Sequence, residues 1–182
     1  MDAMMTKNYY QKLFYDETVN GGLLVSFFRD VLFDPKNAAL RTIVADRALI
    51  DVYGISNKQQ RAYYEKEIVD HGAVYITIVS DEQKKLNSSP VVRVPTITAA
   101  YQKAFGRPPT TNDFNYWKAR TETFKEMVEA SRIWLYSSNG VVDLMATVRR
   151  ALEAKSGNSP TPEQVSVAVK KYWDTKAIFA EM

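Results

Sequence analysis

Reactive side chains are scarce in this chain. His71 is the only histidine, and cysteine is absent. Without cysteine, disulfides and thiol chemistry are excluded. A lone histidine beside Gly72 at a helix end reads as a C-terminal cap or a surface group, not as a catalyst. Multi-histidine zinc sites and histidine relays lack members here. Carboxylates such as Glu65 and Glu67 have the spacing of helix-surface charges, without a metal-binding pattern. A hydrolase built on two carboxylates stays open, because such pairs meet only in the fold. Gly21-Gly22 reads as a turn, and no glycine loop with phosphate-binding spacing occurs. No metal and no cofactor is expected.

What remains is binding chemistry, carried by one arginine and the large aromatics. Arg107 either supports a helix end and pairs with a nearby carboxylate, or offers a fork to a carboxylate or sugar acid on a partner. The structural role is preferred. Tyr116, Trp117, Trp134 and Trp173 are expected in the core. Any tryptophan found exposed would serve as an interface anchor or a stacking platform for a sugar. The candidate interface residues are Tyr9, Tyr101, Arg107, Tyr116, Trp117 and Trp173.

The elements that position these residues centre on Tyr101 to Trp117. Ile97, Ala100, Tyr101, Ala104 and Phe105 recur at helical spacing on one face. Gly106 follows, where a left-handed residue closes a helix. Pro108 and Pro109 prevent its continuation. Thr110 with Asp113, or Thr111 alone, can cap the next helix. The unit recurs: Gly54, Gly106 and Gly157 each end an apolar helix, at spacings of 52 and 51 residues. Ser56 with Gln59, and Thr161-Pro162-Glu163-Gln164, supply the other two caps. A fixed period of this length is what repeated helical units produce.

The remaining chain reads the same way. Residues 7–16 and a stripe of Leu24, Phe27, Phe28, Val31 and Leu32 predict two helices, separated by Asn20-Gly21-Gly22. Asp34-Pro35 opens a third, running to Gly54. Residues 57–70 predict a polar helix ending at His71-Gly72. Residues 73–86 favour strand by propensity, but a lone strand would have no sheet to join, so helix is predicted. Asn87-Ser88-Ser89-Pro90 and Val94-Pro95 predict the one extended connection, dividing an N-terminal half, 1–89, from a C-terminal half, 90–182. Phe124, Met127, Val128, Ile133, Trp134 and Leu135 continue a helix to Ser138, and Asn139-Gly140 turns the chain. Val141, Leu144, Met145, Val148 and Leu152 mark the next helix. Tyr172 and Trp173 lie on the last. The predicted fold is all-α, an array of about three helical hairpins.

Composition agrees with a packed domain. Hydrophobic residues make up 46% and aromatics 12% of 182 residues, ample for a core. Net charge is +3, too mild to imply nucleic acid. No basic segment followed by an apolar run opens the chain, so no cleaved signal peptide is expected. The longest apolar stretch, 23–33, is too short and too charged to span a bilayer. Either a cytoplasmic location or export by a signal-independent route fits.

The central unit resembles an uncharacterised domain family of bacterial secreted and surface-layer proteins, with a tyrosine helix, Gly-Arg-x-Pro, Tyr-Trp and a serine-containing helix. Tyr101, Gly106, Arg107, Pro109, Tyr116, Trp117 and Ser131 stand in those places. The pattern is also similar to phycobilisome linker domains, and His71-Gly72 followed by Ser80-Asp81-Glu82-Gln83 echoes them. The match is good over 97–135 and looser on either side. Gly54 and Gly157 lack the following Arg-x-Pro. The resemblance implies a non-enzymatic all-α scaffold that associates with protein partners, in a surface layer, a linker, a virion or copies of itself. The alternative is a glycan-binding anchor at a bacterial surface, and a small helical hydrolase stands third.

Overall fold

The computed structural model describes residues 29–182. Within them 79% of residues are helical and none is in a strand, so the fold is all-α. After helical residues 29–33 and a 3-10 turn at Pro35–Asn37, eight helices follow: α1 (Ala38–Tyr53), α2 (Lys58–His71), α3 (Tyr75–Ser88), α4 (Pro90–Phe105), α5 (Thr111–Lys118), α6 (Phe124–Leu135), α7 (Val141–Ser156) and α8 (Pro162–Thr175). A second 3-10 turn, Phe179–Glu181, lies in the closing tail. Among the described residues no helix is long and apolar enough to cross a membrane. The expectations for residues 7–22, Tyr9 included, and for most of the 24–32 stripe lie outside the described residues.

Caps set most helix boundaries. Thr110, Thr123 and Thr161 each accept from the N3 amide, while Asp113, Glu126 and Gln164 answer from N3. Each such cap contributes about 1 kcal/mol. In the first unit Asn57 caps α2 instead of Ser56, whose hydroxyl bonds Asp46. The ambiguous 73–86 stretch is helical as α3: the Thr77 hydroxyl bonds the Val74 backbone at its start, and Ile78, Glu82 and Leu86 are buried at four-residue spacing. Burial at helical spacing overrides the strand propensity of its β-branched residues.

The expected extended connection at 87–95 is not there. α3 runs through Ser88, Ser89 alone joins it to α4, and Pro90 occupies the first helical turn, where its missing amide costs nothing. Pro95 lies inside α4. The Thr96 and Thr98 hydroxyls bond the Val92 and Val94 carbonyls around it.

Two apolar clusters fill the interior. One gathers Leu49, Val52, Ile68, Ile78 and Leu86 from α1, α2 and α3. The other gathers Ile97, Phe105, Trp117, Met127, Leu135, Leu144, Val165 and Ile178. Each fully buried side chain of this size is worth about 1.5–3 kcal/mol. α1 packs on α2, α3 and α6, α4 on α5, α6 and the tail, and α7 on α8. Across the two clusters, Lys125 Nζ stands 3.3 Å from Asp51 and Gln83 Nε2 donates to the Thr121 carbonyl at 2.9 Å.

α1, α4 and α7 are each 16 residues long, and each ends on a glycine at φ between 65° and 83°. Their surroundings differ. A Cβ on Gly106 would enter the Phe179 ring and one on Gly54 the Phe124 ring, whereas Gly157 faces open space. Alanine at Gly157 therefore meets only the left-handed backbone penalty, about 1–2 kcal/mol. Alanine at Gly54 or Gly106 adds displacement of a packed ring and is expected to cost about 2–3 kcal/mol. Urea melts of the three variants check this order. An equal loss at all three sites would mean that the rings yield freely.

Candidate functional site

Three places concentrate polar or aromatic side chains. The first is the turn after α4. Arg107 Nη1 donates to Asp113 Oδ2 at 2.8 Å and to the Pro108 carbonyl at 3.0 Å. Its guanidinium carbon lies 5.4 Å from the ring centres of both Tyr101 and Phe105. Burial tends to raise the Asp113 carboxyl, but the Thr110 amide, Arg107 and the Thr110 hydroxyl outweigh it and hold it below the ordinary value. Arg107 thus splints the capping box of α5 to the stacked Tyr101–Phe105 pair. Trp117 Nε1 donates to the buried Tyr101 hydroxyl at 3.1 Å. Burial pushes the Tyr101 hydroxyl up to about 12. Ser131 is buried and bonds the Met127 carbonyl. Tyr101, Arg107 and Trp117 are brought together as a joint between α4 and α5.

The second place is a buried carboxylate that sequence reasoning missed as a site. Glu82 is 1% exposed. The hydroxyls of Tyr64 and Tyr53 donate to its two oxygens at 2.5 and 2.7 Å, and Lys85 Nζ donates at 2.6 Å. Gln60 Nε2 is a longer fourth donor at 3.4 Å. Burial works to raise the carboxyl, but the bonds from Lys85, Tyr64 and Tyr53 outweigh it and hold it below its ordinary value. Burial and the bond to Glu82 push both tyrosine hydroxyls far up. A cleft of about 370 Å³ adjoins this network, lined by Tyr63, Tyr64, Glu67, Ala73, Thr77, Ile78, Asp81, Lys84 and Lys85. A charged residue at the middle of the Ile78–Glu82–Leu86 stripe was the signal that could have found it.

The third place is the corner between α6 and α7. The expectation that Tyr116, Trp134 and Trp173 belong to the core is overturned, and only Trp117 is buried. Trp134 is 44% exposed, with Nε1 bonded to Asp143 Oδ2 at 2.8 Å. On α7, Val142 is 78% exposed, and Val141 and Met145 are exposed beside it on one helical face. Trp173 stands edge-on to Tyr136 at 5.6 Å with Lys176 over its ring. Tyr116 lies under Arg120, 4.5 Å from its guanidinium carbon. The physical reason is register: Ile133 and Trp134 fall off the buried stripe of Phe124, Met127, Val128, Ser131 and Leu135.

His71 is exposed and pairs with Glu67 at 3.1 Å, and Glu65 accepts from the Thr42 hydroxyl. Among the described residues no group of three or more histidines or carboxylates could hold a metal ion. Fold and sites together define an all-α helical protein with internal polar joints and an exposed aromatic corner. Set against family models, curated proteins and solved structures, the chain matches none.

Proposed function

We propose that this protein is a non-enzymatic helical scaffold or attachment module of about three units, joined to protein partners through apolar side chains its own fold leaves in solvent. The observation that carries this reading is the α6–α7 corner, where Trp134, Val141, Val142 and Met145 are exposed around a tryptophan anchored by Asp143. Tryptophan in a fixed orientation amid exposed aliphatics has the composition of an interface hot spot. The resemblance of the Tyr101–Trp117 unit to surface-layer and linker domains belongs to the same reading.

Self-association is the form of the reading to test first. Val142→Asp is expected to leave folding stability within about 0.5 kcal/mol, because the side chain is already in water. It should nevertheless weaken association by about tenfold or more. Sedimentation velocity across a concentration series, with thermal melts on the same samples, reads both. A chain that sediments as a monomer throughout, with Val142→Asp indistinguishable from the parent, would defeat this form.

A further inference from the structure

Residues 177–182 do not continue α8; they fold back as a docked segment on the body of the protein. We infer that this tail exchanges between two copies of the chain, each filling the groove of the other. Exchange gives the scaffold reading a route to self-association that does not use the α6–α7 corner, so either can fail alone.

The hinge comes first. α8 ends at Thr175, and Lys176 turns the chain back at φ 52°. Among the described residues it is the only one other than glycine at positive φ. A Cβ in this conformation crowds the following carbonyl, a clash that glycine avoids. Side-chain contacts hold it there. The Lys176 ammonium stands over the Trp173 and Tyr136 rings at 4.5 and 4.8 Å, and Arg132 Nη1 donates to the Lys176 carbonyl at 2.7 Å. A disfavoured backbone persists where its surroundings over-determine it. A short connection under strain is the kind that opens into exchange.

The tail carries its own order. The Glu181 amide donates to the Ile178 carbonyl at 2.8 Å, and the Ile178 amide to Glu181 Oε2 at 3.2 Å. The turn Phe179–Glu181 therefore closes on itself and can travel as a unit. Its anchors all lie elsewhere. Arg132 Nη1 and Nη2 donate to the two Glu181 carboxylate oxygens at 2.7 and 2.8 Å. The Tyr136 hydroxyl donates to the Ala177 carbonyl at 2.5 Å. Ile178 is fully buried, and the Phe179 ring occupies the space a Cβ on Gly106 would need.

Those anchors decide the occupant. The groove demands a buried aliphatic, an aromatic ring against Gly106 and a carboxylate in the Arg132 fork, all at fixed spacing. The tail of a second copy meets each demand by identity. Exchange then keeps the anchors of residues 177–182 and releases the turn at Lys176. The entropy of joining two chains opposes it, so the exchanged dimer grows with concentration.

The test uses full chains that all carry Val142→Asp, which silences the α6–α7 corner. Arg132→Glu and Glu181→Arg each set like charges against one another within one chain. In a one-to-one mixture, the groove of the first variant suits the tail of the second, and the other groove and tail keep their native charges. Opposite charges thus meet only across chains. After the two are unfolded and refolded together, sedimentation velocity is expected to show about tenfold or more heterodimer over dimer in either variant alone, with a higher melting temperature than either. A second pair of variants decides alone if the charge variants fail to fold. Lys176→Pro excludes positive φ and should raise the dimer fraction above that of the parent, whereas Lys176→Gly accepts it and should lower that fraction. A refolded mixture that stays monomeric, or equal dimer fractions in Lys176→Pro and Lys176→Gly, would overturn the inference.

Discussion

Glu82→Ala is expected to destabilise the fold by about 3–5 kcal/mol, the range for removing one partner of a buried charge network. Stabilities of domains this size lie near 5–15 kcal/mol, so the variant should approach the limit of folding. Three groups lose the carboxylate at once, and only Tyr53 keeps a second acceptor, the residue-82 carbonyl at 3.2 Å. The Tyr53 and Tyr64 hydroxyls, from α1 and α2, are left without the partners at 2.7 and 2.5 Å, and Lys85 without its counter-charge at 2.6 Å. Glu82→Gln keeps the shape and one acceptor oxygen, so its loss should be smaller, about 1–3 kcal/mol. Denaturant melts of both variants measure this, and a loss below about 1 kcal/mol in Glu82→Ala would show the cluster to be dispensable. The pH dependence follows with a definite sign. The folded-state carboxyl is held below its ordinary value, so the unfolded chain binds the proton more readily. Its stabilisation is complete above the unfolded value of about 4.3 and fades as pH falls through the lower folded value. Glu82→Gln should therefore flatten the acid limb of the stability curve and leave its shape near neutrality unchanged.

Helix content was legible in the sequence because periodicity and caps agree. Ile97, Ala100, Tyr101, Ala104 and Phe105 were placed on one face and all are buried. Thr110 with Asp113 and Thr161 with Gln164 close capping boxes at the expected positions. The preferred structural role of Arg107 fits its bond to Asp113 and its place over two rings. Residue type misleads where register decides. Pro90 and Pro95 read as breakers, although Pro90 stands in the first turn, where proline is compatible with a helix, and Pro95 is carried inside α4. Residue type alone places Trp134 and Trp173 inside, but both fall off the buried stripes of their helices.

The internal polar joints escaped for the opposite reason. Glu82 and Arg93 do fall on buried stripes, between Ile78 and Leu86 and four residues before Ile97, but charged residues there are ordinarily assigned to a solvated face. Lys85 and Asn87 apart, their partners come from segments 18 to 29 residues away in sequence. No local pattern encodes such meetings. A charge standing where an apolar residue is due is the one trace they leave, and it marks where helices are tied rather than merely packed.

Arg93→Ala is expected to cost about 3–5 kcal/mol and to loosen α5 and the loop after it. Arg93 is buried inside α4, and burial pulls its guanidinium below the ordinary value while leaving it charged. Its fork reaches four acceptors. Nη2 donates to the Trp117 and Arg120 carbonyls at 3.0 and 2.7 Å, and Nη1 to the Glu122 carbonyl at 2.5 Å and Asn87 Oδ1 at 3.1 Å. Trp117 lies in the last turn of α5, where the dipole is negative and its carbonyl also accepts from the Arg120 amide at 3.1 Å. One side chain therefore braces the end of α5 and ties down residues 119–123, from which the Thr123 cap of α6 begins. Lysine offers a single point of donation and cannot reproduce the fork, so Arg93→Lys should recover less than half of the loss. Arg93→Met refills the volume without donating and should resemble alanine more than lysine. Urea melts give the stabilities, and amide exchange at 117–123 reports the loop. If Arg93→Met folds as stably as the parent and those amides stay protected, packing alone holds α5 in place and the guanidinium is incidental.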